Sequence, residues 1–242
     1  MSSTTWTPAA VASEARAWQG RLWRAVEAQH RTSTLRLVDT LAEQAQLEAL
    51  LEASKPALPA DAGARHYLLL TPFRYPSLHP QGSRFRAVTD PGVFYGADEL
   101  RTACAELGYW RWRFLMDSPA LERLASLPHT LFLAAASGMA VDLTQAPLSS
   151  DMPEWSAPRD YAGCQRLARL ARAARIEVIR YRSVRDPAAG MCAAVLNAAA
   201  LAAELLAEQT WRLTVTRQRI QWQRDSALHA ESLEFPAAAL HA

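Results

Sequence analysis

The sequence predicts an α+β fold: a mixed β-sheet core with surrounding helices, preceded by an N-terminal helical hairpin. Three observations carry this. Helical and strand-like patterns interleave without the regular rhythm of βαβ units. No segment recurs at a period of about 20–50 residues, which excludes a repeat architecture. Near the C-terminus, TWRLTVTRQRIQWQR alternates as a β-hairpin does, with Trp211, Leu213 and Val215 on one face. The 242 residues suffice for one large domain or two small ones. A domain of that size buries roughly 70–75% of its unfolded surface, so no disulfide or metal staple is needed.

The elements follow in order. Residues 8–54 read as two helices. Trp18, Leu22, Trp23 and Val26 share a face of the first at helical spacing. Ser33 or Thr34 caps the second, which carries Leu35, Val38, Leu41, Ala45 and Leu50 in an apolar stripe. Pro56 and Pro59 end it, and PALPADAGA is a connector. The expected organisation is a hairpin extension over residues 1–60 and a main domain over 61–242, together one compact unit. The hairpin's role is left open between an integral layer, a clamp over a site and a surface for homodimerisation.

From His66 the texture turns to strands and loops. HYLLLTPF and GVFY are short apolar runs bounded by Pro and Gly, and both read as strands. ADELRTACAELGYWRWRFLM reads as a helix with Asp98 and Glu99 suited to its first turn. The apolar stretch 130–141 fits either type. Residues 157–175 form a helix with Leu167 and Leu170 inward and arginines outward. IEVIRYRSV and MCAAVL are strands, residues 198–209 an Ala/Leu helix, and ESLEF a last short strand.

Composition excludes several classes. Half the residues are apolar and the net charge is +2, too small to argue for nucleic-acid or membrane binding. Lys55 is the only lysine. Arginine suits bidentate phosphate contacts, although a GC-rich genome produces the same bias. Cys104, Cys164 and Cys192 show no metal-ligand spacing, and a reducing cytoplasm fits them best. No apolar run reaches the roughly 20 residues of a membrane span, and the N-terminus lacks the pattern of a signal peptide; the expected location is cytoplasmic. No phosphate-binding loop, dinucleotide turn, zinc helix or nucleophile elbow is present.

The chemistry concentrates in residues 71–106, where Arg84, Tyr95 and Glu106 stand eleven residues apart each time. Guanidinium groups grip a pyrophosphate, an aromatic face covers a flat ring, and a carboxylate steadies a positively charged sugar. A lone Glu106 can suffice where the leaving group is already a good one, because glycosidic cleavage passes through an oxocarbenium-like state. Arg74 and Arg84 are the candidate phosphate ligands. Tyr95 is the first choice to lie against a cationic ring and Tyr75 the second. Ser183 ends a strand with no base beside it, so it is read as a binding group and not a nucleophile. Tyr109, Trp110, Trp112 and Phe114 read as core packing.

This order resembles the RES domain family, named for its arginine, glutamate and serine. The parts that carry the resemblance are Phe73-Arg74, Gly82-Ser83-Arg84-Phe85, Val93-Phe94-Tyr95, Ala105-Glu106 and Tyr181-Arg182-Ser183, within residues 66–235. Arg86 departs from the asparagine common at its place. The resemblance implies a fold similar to ADP-ribosyltransferase toxins and an NAD⁺-consuming toxin, with Glu106, Arg84 and Ser183 catalytic and Arg74, Tyr75, Arg84 and Tyr95 binding NAD⁺. NAD⁺ would be substrate and not cofactor, cleaved by phosphorolysis with inorganic phosphate as co-substrate, or by hydrolysis. The implied partner is an Xre-type helix-turn-helix antitoxin. The alternatives are a mono-ADP-ribosyltransferase acting on a protein and a non-catalytic nucleotide-binding module.

Overall fold

The computed structural model describes residues 6–28, 37–57, 63–77, 79–228 and 230–240. Its elements, in chain order, are α1 (Pro8–Ser13), β1 (Arg16–Glu27), α2 (Leu41–Ser54), α3 (Tyr67–Arg74), β2 (Phe94–Ala97), α4 (Leu100–Met116), β3 (Arg123–Asp142), α5 (Met152–Trp155), α6 (Ala162–Ala173), β4 (Val178–Arg182), β5 (Met191–Val195), β6 (Leu201–Thr216), β7 (Arg219–Arg224) and β8 (Ser232–Pro236). The eight strands form one mixed sheet in the order β1-β2-β5-β4-β3-β6-β7-β8. Only β3 and β4 run parallel. The mixed α+β architecture is therefore the one the sequence predicts. Among the described residues no helix is long and apolar enough to cross a membrane.

The sheet also closes on itself. The twenty-residue β3 pairs with β1 from Arg16↔Ala140 to Glu27↔His129, and with β6 along its other side. Because β1 also reaches β2 at Trp23↔Ala97, strands β1, β2, β5, β4 and β3 make a hydrogen-bonded circuit. Phe94, Phe132, Leu22, Val178 and Val195 pack in one core cluster there. A second cluster, with Trp211, Trp222 and Phe235, binds α4 to the hairpin side. Gly108 permits that approach, since a Cβ there would lie 2.8 Å from Ile220 Cγ2.

Three expectations need correction and one open choice is resolved. The first helix of the hairpin is strand β1, so the N-terminal segment belongs to the sheet. Trp18, Leu22 and Val26 are spaced by four, a multiple of the strand period as well as close to a helical turn, so they share a face in either state. Residues 198–209 form a 3₁₀ turn and the start of β6. Pairing with β3 overrides the helix propensity of alanine and leucine there. HYLLLTPF is helix α3, with His66 Nδ1 accepting from the Leu68 N–H. A short buried apolar run does not by itself separate the two states. The ambiguous stretch at 130–141 is strand, part of β3. The expected second helix exists as α2; the proposed caps Ser33 and Thr34, with Leu35, lie outside the described residues.

Candidate active site

Helix α4 sets up the site through its helical repeat. Cys104, Ala105, Tyr109, Trp112 and Leu115 are buried in the second core cluster, which fixes the helix's roll. Thr102, Glu106 and Trp110, at i, i+4 and i+8, then fall on an adjacent face. Glu106 and Trp110 line a cleft of about 230 Å³ with Trp23, Arg24, Tyr95, Tyr161, Tyr181, Arg84 and Arg185.

Glu106 is held by the loop after β4. Ser183 Oγ donates to Glu106 Oε1 at 2.6 Å, and accepts the backbone N–H groups of Arg185 (3.1 Å) and Asp186 (2.9 Å). A hydroxyl has one donor and two acceptor sites, and here all three are occupied by protein groups. The same loop is tied down through Asp186, whose carboxylate accepts from the Thr102 hydroxyl at 2.7 Å and the Ala188 N–H at 3.0 Å. Burial pushes the Glu106 carboxyl above the ordinary glutamate range. The Ser183 bond and the nearby Arg84 and Arg185 guanidiniums pull it back, while buried Asp186 adds to the rise.

Arg84 sits on a fixed turn. Gly82 takes φ +70°, where a Cβ would strike the Arg86 carbonyl. Ser83 and Arg86 exchange backbone hydrogen bonds, and Gln165 Nε2 donates to the carbonyls of Gln81 and Ser83. Tyr95 clamps the same turn from β2: its phenolic oxygen accepts the Phe85 N–H at 2.9 Å and shares a 2.8 Å bond with the Ser83 hydroxyl. Residues on both sides of Arg84 are thereby fixed. Burial pushes the Tyr95 phenol up to about 12, so it is neutral. Arg84 is 8% exposed, gives Nη1 to the carbonyls of Trp155 (2.8 Å) and Ala157 (3.0 Å), and lies over the Tyr161 ring.

Two further guanidiniums reach the cleft. Arg24, on β1, donates Nη1 to the Tyr95 carbonyl at 2.8 Å, while its Nε is buried without a hydrogen-bond partner. Burial lowers its pKa to about 10, so it stays charged at neutral pH. Arg185 is 4% exposed, stacks 3.9 Å from the Tyr109 ring centroid and donates to the Pro158 carbonyl. The lining thus carries three guanidiniums against the single carboxyl of Glu106.

The structure brings Arg84, Tyr95, Glu106 and Ser183 together. It does not bring Arg74 or Tyr75 there. Arg74 ends α3 and donates Nε to the Pro56 carbonyl, and Tyr75 is 38% exposed with its carbonyl accepting from Arg86. Neither lines the cleft. The strand that carries an aromatic-plus-arginine pair into the site is β1, with Trp23-Arg24. That signal stands in the sequence, but a helical reading of residues 16–27 hides it. Arg185, two residues beyond Ser183, and Tyr161 were also missed. No spacing rule points to either, because long-range packing places them.

The RES domain family matches residues 58–216. Among curated proteins none matches. Among solved structures, a chain of the M. tuberculosis MbcT–MbcA toxin–antitoxin complex is similar at 14% identity and a TM-score of 0.46, over 84% of this chain and 87% of that one.

Proposed function

The chain belongs to the RES domain family, and from that premise we propose that it cleaves the nicotinamide–ribose bond of NAD⁺. The observation that carries this reading is Glu106, fixed at 2.6 Å by Ser183 in a cleft lined by Arg24, Arg84 and Arg185. The three cations suit a pyrophosphate. The aromatic walls of Trp23, Tyr95, Tyr161 and Tyr181 suit a flat cationic ring. Arg24 replaces Arg74 in this reading as the first phosphate ligand, and its unpaired buried Nε–H is a donor awaiting an acceptor.

In the reaction the C1–N bond breaks and its electron pair leaves with nicotinamide, which becomes neutral. Positive charge passes to the ribose as an oxocarbenium-like state. The Glu106 carboxylate stabilises that charge as it develops, and such differential stabilisation raises kcat. Water then adds at C1 and releases a proton, giving ADP-ribose; inorganic phosphate gives the 1-phosphate instead. By family resemblance the enzyme acts as the toxin of a toxin–antitoxin pair and is silenced by an Xre-type antitoxin.

The test is the purified full chain with NAD⁺, with and without phosphate. Nicotinamide release is expected, and its absence under both conditions overturns the reading. Label from NAD⁺ appearing on protein instead of in a small product would transfer the case to mono-ADP-ribosylation.

A further inference from the structure

Trp110 differs from the other side chains that line the cleft. It alone among them is exposed, at 43%, so it stands at the rim and not in the wall. Its setting also separates it from an ordinary surface tryptophan. Tyr109 meets it edge-on with centroids 5.4 Å apart, His79 approaches from the loop after α3 at 6.3 Å, and Arg185 lies 5.8 Å from its ring. The indole thus has aromatic and cationic neighbours beside it, with much of its surface open to solvent. It sits one helical turn beyond Glu106 on the same face of α4, about 6 Å along the axis.

The size of the cleft gives this position a use. At about 230 Å³ it lies below the roughly 300–1,000 Å³ of pockets that enclose a drug-sized ligand. It therefore does not enclose a whole dinucleotide and leaves part of the molecule to cross the rim. Arg185 lies beneath Trp110, so a pyrophosphate held by that guanidinium leads the rest of the molecule past the indole. We propose that Trp110 is the stacking surface for the purine base, which makes this a site for an adenine dinucleotide in preference to a nicotinamide mononucleotide. The proposal rests on the NAD⁺ reading of the cleft and specifies where the non-reacting half binds. Phe114, 54% exposed and one turn further along, extends the apolar surface. If that surface served only protein docking, nucleotides would be indifferent to Trp110.

The experiment uses ligands inert to glycosidic chemistry, so its result does not depend on turnover. ADP and inorganic pyrophosphate are titrated calorimetrically into the full chain, as wild type, Trp110→Ala and Trp110→Phe. Base–aromatic stacking predicts that Trp110→Ala weakens ADP by about tenfold or more, that Trp110→Phe retains most of the affinity, and that pyrophosphate binds all three alike. In turnover the same Ala variant should raise KM for NAD⁺ by more than it lowers kcat. Unaltered ADP affinity in Trp110→Ala, an equal loss for pyrophosphate, or no ADP binding by wild type would each overturn the assignment. Failure of the catalytic reading is read separately, as wild-type protein that binds ADP yet releases no nicotinamide from NAD⁺.

Discussion

Thr102 and Glu106 stand one turn apart on α4 and grip the same loop at two points: Thr102 bonds Asp186 at 2.7 Å, and Glu106 bonds Ser183 at 2.6 Å. The loop between β4 and β5 is thus fastened to the helix that carries the carboxylate. Thr102→Val keeps the shape and removes the hydroxyl. Leaving buried Asp186 without that donor should cost about 1–3 kcal/mol of stability. Loosening the loop should lower kcat by about tenfold with little change in KM, a pattern that steady-state kinetics and thermal unfolding together would show.

Ser183→Ala removes the one hydroxyl bonded to Glu106 and leaves the N–H groups of Arg185 and Asp186 without their acceptor. Hydrogen bonding to the charged form lowers a carboxyl pKa, so its loss lets burial raise Glu106 further. The proposed cleavage needs the ionised carboxylate. The acid limb of the kcat profile should therefore move to higher pH, and a limb that stays in place would refute the positioning role.

Glu106→Gln should lower the rate of nicotinamide release by about 10²–10³, the scale of one well-aimed electrostatic group. It should also change stability. The raised carboxyl keeps its proton in the folded state at pH values where the unfolded chain has lost it. Its contribution is therefore complete below the unfolded pKa and is lost as pH rises through the folded one. The neutral glutamine escapes that loss. The variant should match wild type in acid and unfold at higher temperature near pH 7, by about 2–4 °C for each kcal/mol.

Arg24 and Arg74 give opposite expectations. Arg24 lines the cleft and Arg74 is turned to the Pro56 carbonyl. Charge-assisted contacts are worth about 1.5–3 kcal/mol, so Arg24→Ala should raise KM for NAD⁺ by about one to two orders of magnitude. Arg74→Ala should leave it unchanged. Equal effects would mean that the wrong strand has been assigned to the phosphates.

The sequence announces some of this and conceals the rest for identifiable reasons. Helix α4, the β6–β7 hairpin and the strand ending at Ser183 are legible because their periodicity agrees with their packing. Arg84, Tyr95 and Glu106 can be singled out because a turn, a strand end and a helix follow one another over a short stretch. Strand β1 is not legible: Trp18, Leu22 and Val26 obey both periods, and partners more than a hundred residues away decide between them. The helical reading also hides Trp23-Arg24 as an aromatic-plus-arginine pair on a strand, which leaves Phe73-Arg74 as the pair the sequence offers, whereas Arg24 and not Arg74 lines the cleft. Ser183 stands out in the sequence as a strand-ending serine, yet only the structure shows its oxygen bonded to Glu106 and to the N–H groups of Arg185 and Asp186.

The circuit of strands sets a practical boundary on what can be excised from this chain. A clone trimmed to residues 58–216, the span matched by the family, would omit the strand that shuts the ring, together with Trp23 and Arg24. It would also stop before β7 and β8, which bury Trp222 and Phe235 against α4. Raw edges on β2, β3 and β6 would then invite pairing between molecules. Such a fragment should elute from a sizing column as aggregate, whereas the intact polypeptide should not.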